Sequence, residues 1–143
     1  MNQSAMQAYS WDDLYEGLVV GWKFQVTAGD MDAFARLSGD TNPLHIDAEF
    51  ARAKGFKDRV VYGALLAAQV SRLVGMNLPG RDAVLVGMAV HFNGAAMIDD
   101  VIDFQATLTG KSEATRLLSL KFAMRCERRL IAKGTAEALL RDG

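Results

Sequence analysis

Beyond Arg81 the chain alternates apolar and polar residues with a period of two. Val84, Val86, Met88, Val90 and Phe92 share one face. Ile102, Phe104, Ala106 and Leu108 do the same, set against Asp103, Gln105, Thr107 and Thr109. Leu118, Leu120, Phe122, Met124 and Cys126 repeat the pattern, and Leu130 through Leu140 closes it with smaller residues. Such alternation predicts half-buried antiparallel strands, here joined in a meander.

The first half reads differently. Trp11 to Gly17 is a short lead-in, and Leu18 to Val26 has strand composition. Thr27 or Asp30 can cap a helix running through Met31, Phe34, Ala35 and Leu37, which Gly39 ends. Asp47 to Lys54 is a second short helix, capped by Asp47 and stopped at Gly55. Gly63 to Met76 predicts a third helix that is apolar on nearly every face, and such a helix has to be surrounded by protein. Pro79-Gly80 then turns the chain. One strand, helices and a run of strands predict an α+β fold in which a curved antiparallel sheet wraps a long buried helix. No repeat or linker divides residues 1–143, which read as a single domain.

Composition narrows the function. Sixteen Lys and Arg stand against 17 Asp and Glu, for a net charge of −1, and no basic stripe suits nucleic acid. The Arg125-Cys126-Glu127-Arg128-Arg129 cluster reads as a solvated turn between strands, or as cations at a pocket mouth. The N-terminus lacks the features of a signal peptide, and no stretch is long and apolar enough to span a bilayer, so a cytoplasmic, membrane-free protein is expected. The single cysteine, Cys126, excludes an internal disulfide and reads as a core thiol. Two histidines without metal-ligand spacing predict no metal site. His91 reads as structural or exposed.

The chemistry concentrates in Gly39-Asp40-Thr41-Asn42-Pro43-Leu44-His45. Pro43 fixes its own φ and pushes Asn42 toward an extended conformation, so Asp40 and His45 sit on one defined loop. A carboxylate and an imidazole held this way can converge on one water and share general base and general acid work. Asn42 reads as a supporting residue that bonds within the loop.

This stretch, with Asp47 and Ala51 after it and Val61-Tyr62-Gly63-Ala64-Leu65-Leu66 further on, resembles the MaoC-like (R)-specific enoyl-CoA hydratase family, most specifically from Phe34 to Leu66. The resemblance implies a hotdog fold and a catalytic dyad of Asp40 and His45. It also implies that the backbone N–H of Gly63 opens the buried helix and binds the thioester oxygen. Water would add reversibly across a trans-2-enoyl thioester to give a (3R)-hydroxyacyl thioester. Coenzyme A would enter only as part of the substrate, carried by an acyl-CoA or replaced by an acyl carrier, with no other cofactor. A homodimer or a multiple of one is expected, because a single sheet leaves its edge strands unpaired. The chain departs from the family pattern at Tyr62, usually His, at Ala64, usually Met, and at Ala68, often Ser; the Ala95–Asp100 loop lacks the usual proline. These changes are expected to reshape the acyl pocket, with Tyr62 lining it. A hotdog thioesterase and a non-catalytic member that binds acyl thioesters are the alternatives.

Overall fold

The computed structural model describes residues 5–142. Five antiparallel strands form one sheet: β1 (Val19–Phe24), β2 (Ala83–Phe92), β3 (Ile102–Ser112), β4 (Leu117–Cys126) and β5 (Arg129–Leu140). Four helices lie between β1 and β2: α1 (Ala28–Ser38), α2 (Pro43–Ile46), α3 (Ala48–Ala53) and α4 (Gly63–Arg72). The inward residues of β3 and β4 are the ones the alternation selects. Ile102, Phe104, Ala106 and Leu108 face Leu118, Leu120, Phe122 and Met124 in a core that also takes in Leu66 and Val70 of α4. A helix cradled by one antiparallel sheet is the hotdog arrangement.

The order across the sheet is β1-β3-β4-β5-β2, which corrects the expected meander. Only β3, β4 and β5 follow one another in space. β2 pairs with β5 at the far edge, from Ala83 opposite Leu140 to Phe92 opposite Ala132. The reason is the segment from Asn93 to Val101, which crosses beneath the start of α4 before β3 begins. It is held there by bonds from Val61 N–H to the Ala96 carbonyl, from Ile98 N–H to the Arg59 carbonyl and from Asp99 N–H to the Val26 carbonyl. Alternation sets which face a residue occupies and leaves open which strand lies next door.

Two further expectations change. β2 carries a bulge between Leu85 and Gly87, and its apolar residues face outward: Val84, Val86, Met88 and Phe92 are 43–51% exposed. The third helix stops being α-helical at Arg72 and continues as a π-helical turn from Leu73 to Asn77. Leu66, Val70, Leu73 and Val74 are buried, whereas Ala64, Ala68 and Ser71 form an exposed stripe at i, i+4 and i+7. The helix is apolar all round, yet this chain covers only part of it. Cys126 keeps the phase of Leu118 to Met124 and packs against the core, half-buried because it ends β4 at the sheet's margin. Glu127 and Arg128 make the expected turn into β5, and His91 is exposed.

Candidate active site

Local chemistry folds the Asp40–His45 segment. Thr27 and Asp30 form a capping box that starts α1. Gly39 ends that helix at φ +77°, a left-handed conformation that glycine adopts without a Cβ penalty. Asp40 then donates its N–H to Ser38 Oγ at 3.1 Å and accepts the Asn42 N–H on Oδ1 at 3.1 Å. Asn42 Oδ1 accepts from Leu44 N–H at 3.0 Å, with Pro43 as the first helical residue. An Asn cap followed by Pro is a helix start. His45 therefore projects from a single helical turn and not from the open loop expected.

His45 is fixed from several directions. Its Nδ1 lies 2.7 Å from the Val60 carbonyl oxygen. A carbonyl only accepts, so Nδ1 carries the proton and Nε2, on the opposite edge of the ring, keeps its lone pair. Arg59 Nε donates to the His45 carbonyl at 2.7 Å, and Arg59 Nη2 pairs with Asp32 Oδ1 at 2.8 Å. Val60 N–H donates to the Leu44 carbonyl at 3.1 Å. The Arg59–Val61 segment thus grips α2 on one side and the crossing segment on the other. No hydrogen bond joins the Asp40 carboxylate directly to the imidazole among the described residues, and Asp40 is solvent-exposed.

Tyr62 is buried, with its hydroxyl donating to the Asp40 carbonyl and its ring stacked on His45 at 4.0 Å between centroids. Phe34 of α1 packs on it at 4.7 Å. Its side chain is packed behind Asp40 and His45 and not, as the sequence suggested, exposed on the wall of an open pocket. Burial, and next the Asp40 carboxylate, push the phenol above its ordinary value, so it stays protonated at neutral pH.

Tyr62 also occupies the N-cap of α4, with no side-chain bond to the helix. Its carbonyl accepts from Leu65 N–H at 3.1 Å and from Leu66 N–H at 3.3 Å. The N–H groups of Gly63 and Ala64 precede these bonds and are the free donors of a helix start, where the dipole favours negative charge. A Cβ at Gly63 would lie 2.9 Å from Cζ of Phe92, at the end of β2. The missing side chain therefore makes room for an aromatic ring, where the sequence suggested room for a thioester. Ala64 is exposed beside this start. Ala68 lines a cleft of about 430 Å³ with Phe24, Phe34, Leu37 and Leu65.

Sequence reasoning missed Arg59, Val60 and Phe92. Val60 acts through its main-chain carbonyl, which has no side-chain signature. Phe92 was placed in the apolar pattern of a strand, and nothing in that pattern brings it to a helix terminus. Lys57, Arg128 and Arg129, with Asp58, Asp100 and Glu127 among them, rim a cavity of about 610 Å³, next to the bridge between Val60 and Met97.

The profile of the MaoC like domain family matches residues 21–121. An (R)-specific enoyl-CoA hydratase of Rhodospirillum rubrum is 26% identical over 140 residues, covering 98% of this chain and 97% of the relative. An (R)-specific enoyl-CoA hydratase of Aeromonas caviae is 33% identical over 109 residues, covering 73% and 81%. The solved (R)-hydratase from A. caviae involved in PHA biosynthesis superposes with a TM-score of 0.86 at 29% identity, covering 90% of this chain and 98% of that one.

Proposed function

Because the chain belongs to the MaoC-like domain family, we propose that it is an enoyl thioester hydratase, adding water reversibly to a trans-2-enoyl-CoA to give the (3R)-hydroxyacyl-CoA. The observation that carries this reading is the state of His45: its Nδ1 proton is committed to Val60, which leaves Nε2 as a base. The rest follows from geometry and charge. The N–H groups at the start of α4 polarise the thioester carbonyl and take up the negative charge that develops on its oxygen, an effect worth roughly 10²–10³ in rate per donor. Nε2 takes one proton from water as the water oxygen bonds to C3. Asp40 holds the water's other hydrogen and stabilises the imidazolium. The imidazolium returns its proton to C2 on the same face, so addition is syn. Positioned acid–base groups of this kind contribute about 10²–10⁴.

The (3R) outcome is supported by the names of the two relatives. The cleft beside Ala68 suits the acyl chain. The reaction calls for no cofactor beyond the coenzyme A of its substrate. The exposed apolar edge of β2 and the Ala64–Ala68–Ser71 stripe support a homodimer, with its site close to the subunit boundary. A cytoplasmic location would suit the proposed acyl-CoA substrate; separately, among the described residues no helix is long and apolar enough to cross a membrane.

The test is hydration of short and medium trans-2-enoyl-CoAs by the purified protein, followed at the enoyl absorbance, with chiral analysis of the product. Release of free coenzyme A without hydration would make the protein a thioesterase. Saturable binding without turnover would make it a binding member of the family.

A further inference from the structure

We propose that Tyr62 is a positioning residue for this reaction, holding Asp40 and His45 in register with each other and with the N-terminus of α4; the proposal rests on the hydratase reading above. A buried phenol needs a hydrogen-bond acceptor, and many carbonyls could serve. Here the acceptor, at 2.5 Å, is the carbonyl of Asp40 itself. The ring lies on the other member of the dyad, with centroids 4.0 Å apart and planes 28° apart. Phe34 closes the far side of the ring. The backbone of the same residue supplies the carbonyl on which the first turn of α4 is built. One residue therefore joins the main chain of Asp40, the imidazole of His45 and the start of α4.

The hydroxyl and the ring do separable things. The hydroxyl restrains the Asp40 main chain, whose own side-chain oxygen is already tied to Asn42 N–H. Losing it frees a segment that carries a reacting group, and small misplacements of such groups cost up to about 10²-fold. The ring faces the imidazole and favours the imidazolium formed during turnover through its π face.

Tyr62→Phe is expected to lower kcat about tenfold with little change in KM. Tyr62→Leu, which also removes the ring from the imidazole face, is expected to lower kcat about 10²-fold, again with little change in KM. Far-UV circular dichroism establishes that each variant is folded. If Leu does not fold there, Phe decides the matter by the kcat and KM split. A folded Tyr62→Phe enzyme with wild-type kcat overturns the proposal. So does one whose loss lies wholly in KM and varies with acyl length, since that describes a pocket wall. Failure of the wild type to hydrate any enoyl-CoA overturns the hydratase reading instead.

Discussion

The two histidines of this chain sit in opposite surroundings. His45 is half-buried, its Nδ1 bonded to Val60 and its ring stacked on Tyr62. His91 is exposed on β2, an edge strand whose outward residues are apolar. The residue type is the same, and the difference lies in what surrounds it. The active-site segment is held from outside by Ser38, Arg59, Val60 and Tyr62, whereas β2 pairs along only one side, with β5. A group becomes a catalyst when neighbouring bonds fix its proton and its direction; an edge becomes an interface when its own chain leaves it open.

The largest expected effect breaks the first half of that comparison. His45→Gln and Asp40→Asn should each lower kcat by about 10²–10⁴ without unfolding the protein. The double variant should be little worse than either single one, because the two act as a unit. His91→Gln, measured beside them on the same substrate, should leave kcat/KM within about twofold of wild type. Equal losses for His45 and His91 variants would remove the distinction.

Next comes the edge. Met88→Lys puts a charge on the exposed face of β2 and is expected to shift sedimentation from dimer to monomer at micromolar concentration. Wild-type protein that sediments as an active monomer would refute the proposed pairing.

A smaller effect tests the local geometry of the dyad segment. Asn42→Ala removes the cap of α2 and should cost about 1 kcal/mol of stability. A thermal melt should show this as a drop of roughly 2–6 °C, with kcat falling less than in the His45 variants.

The smallest effect concerns Tyr62. Its phenol titrates above the ordinary value in the folded state, so the folded protein keeps this proton more tightly than the unfolded chain. The stability contributed is fully present below the unfolded value of about 10 and is lost as pH rises through the folded one. Denaturation midpoints should therefore fall above about pH 10 in the wild type and fall less in Tyr62→Phe.

The site was legible in sequence where side chains carry it and illegible where the backbone does. Thr27 with Asp30, Gly39, and Asp47 each announce a helix boundary through their own chemistry, so the segment bearing Asp40 and His45 could be located in advance, although the turn that Asn42 caps reads there as a loop. The strand faces of β3 and β4 were equally plain, since alternation is a local property. The partner of β2 was not, because it depends on the path of Asn93–Val101 through space. Val60 could not be found because its role belongs to a carbonyl oxygen that every residue possesses. Tyr62 was singled out, but its rotamer was not determined by sequence, and a pocket wall and a brace behind the dyad look alike there. The helix from Gly63 reads as apolar all round, and composition does not say whether its covering belongs to one chain.

Phe92 belongs to two neighbourhoods at once: it ends the open edge strand, and its ring fills the place beside Gly63 where a Cβ would go. Any copy that docks along β2 thus acts on the ring that flanks the helix start. Self-association and substrate affinity are then linked quantities, and each shifts the other by the same factor. Protein concentration becomes a variable of the reaction, and specific activity should decline on dilution with a midpoint near the dissociation constant of the assembly, well before the chain unfolds.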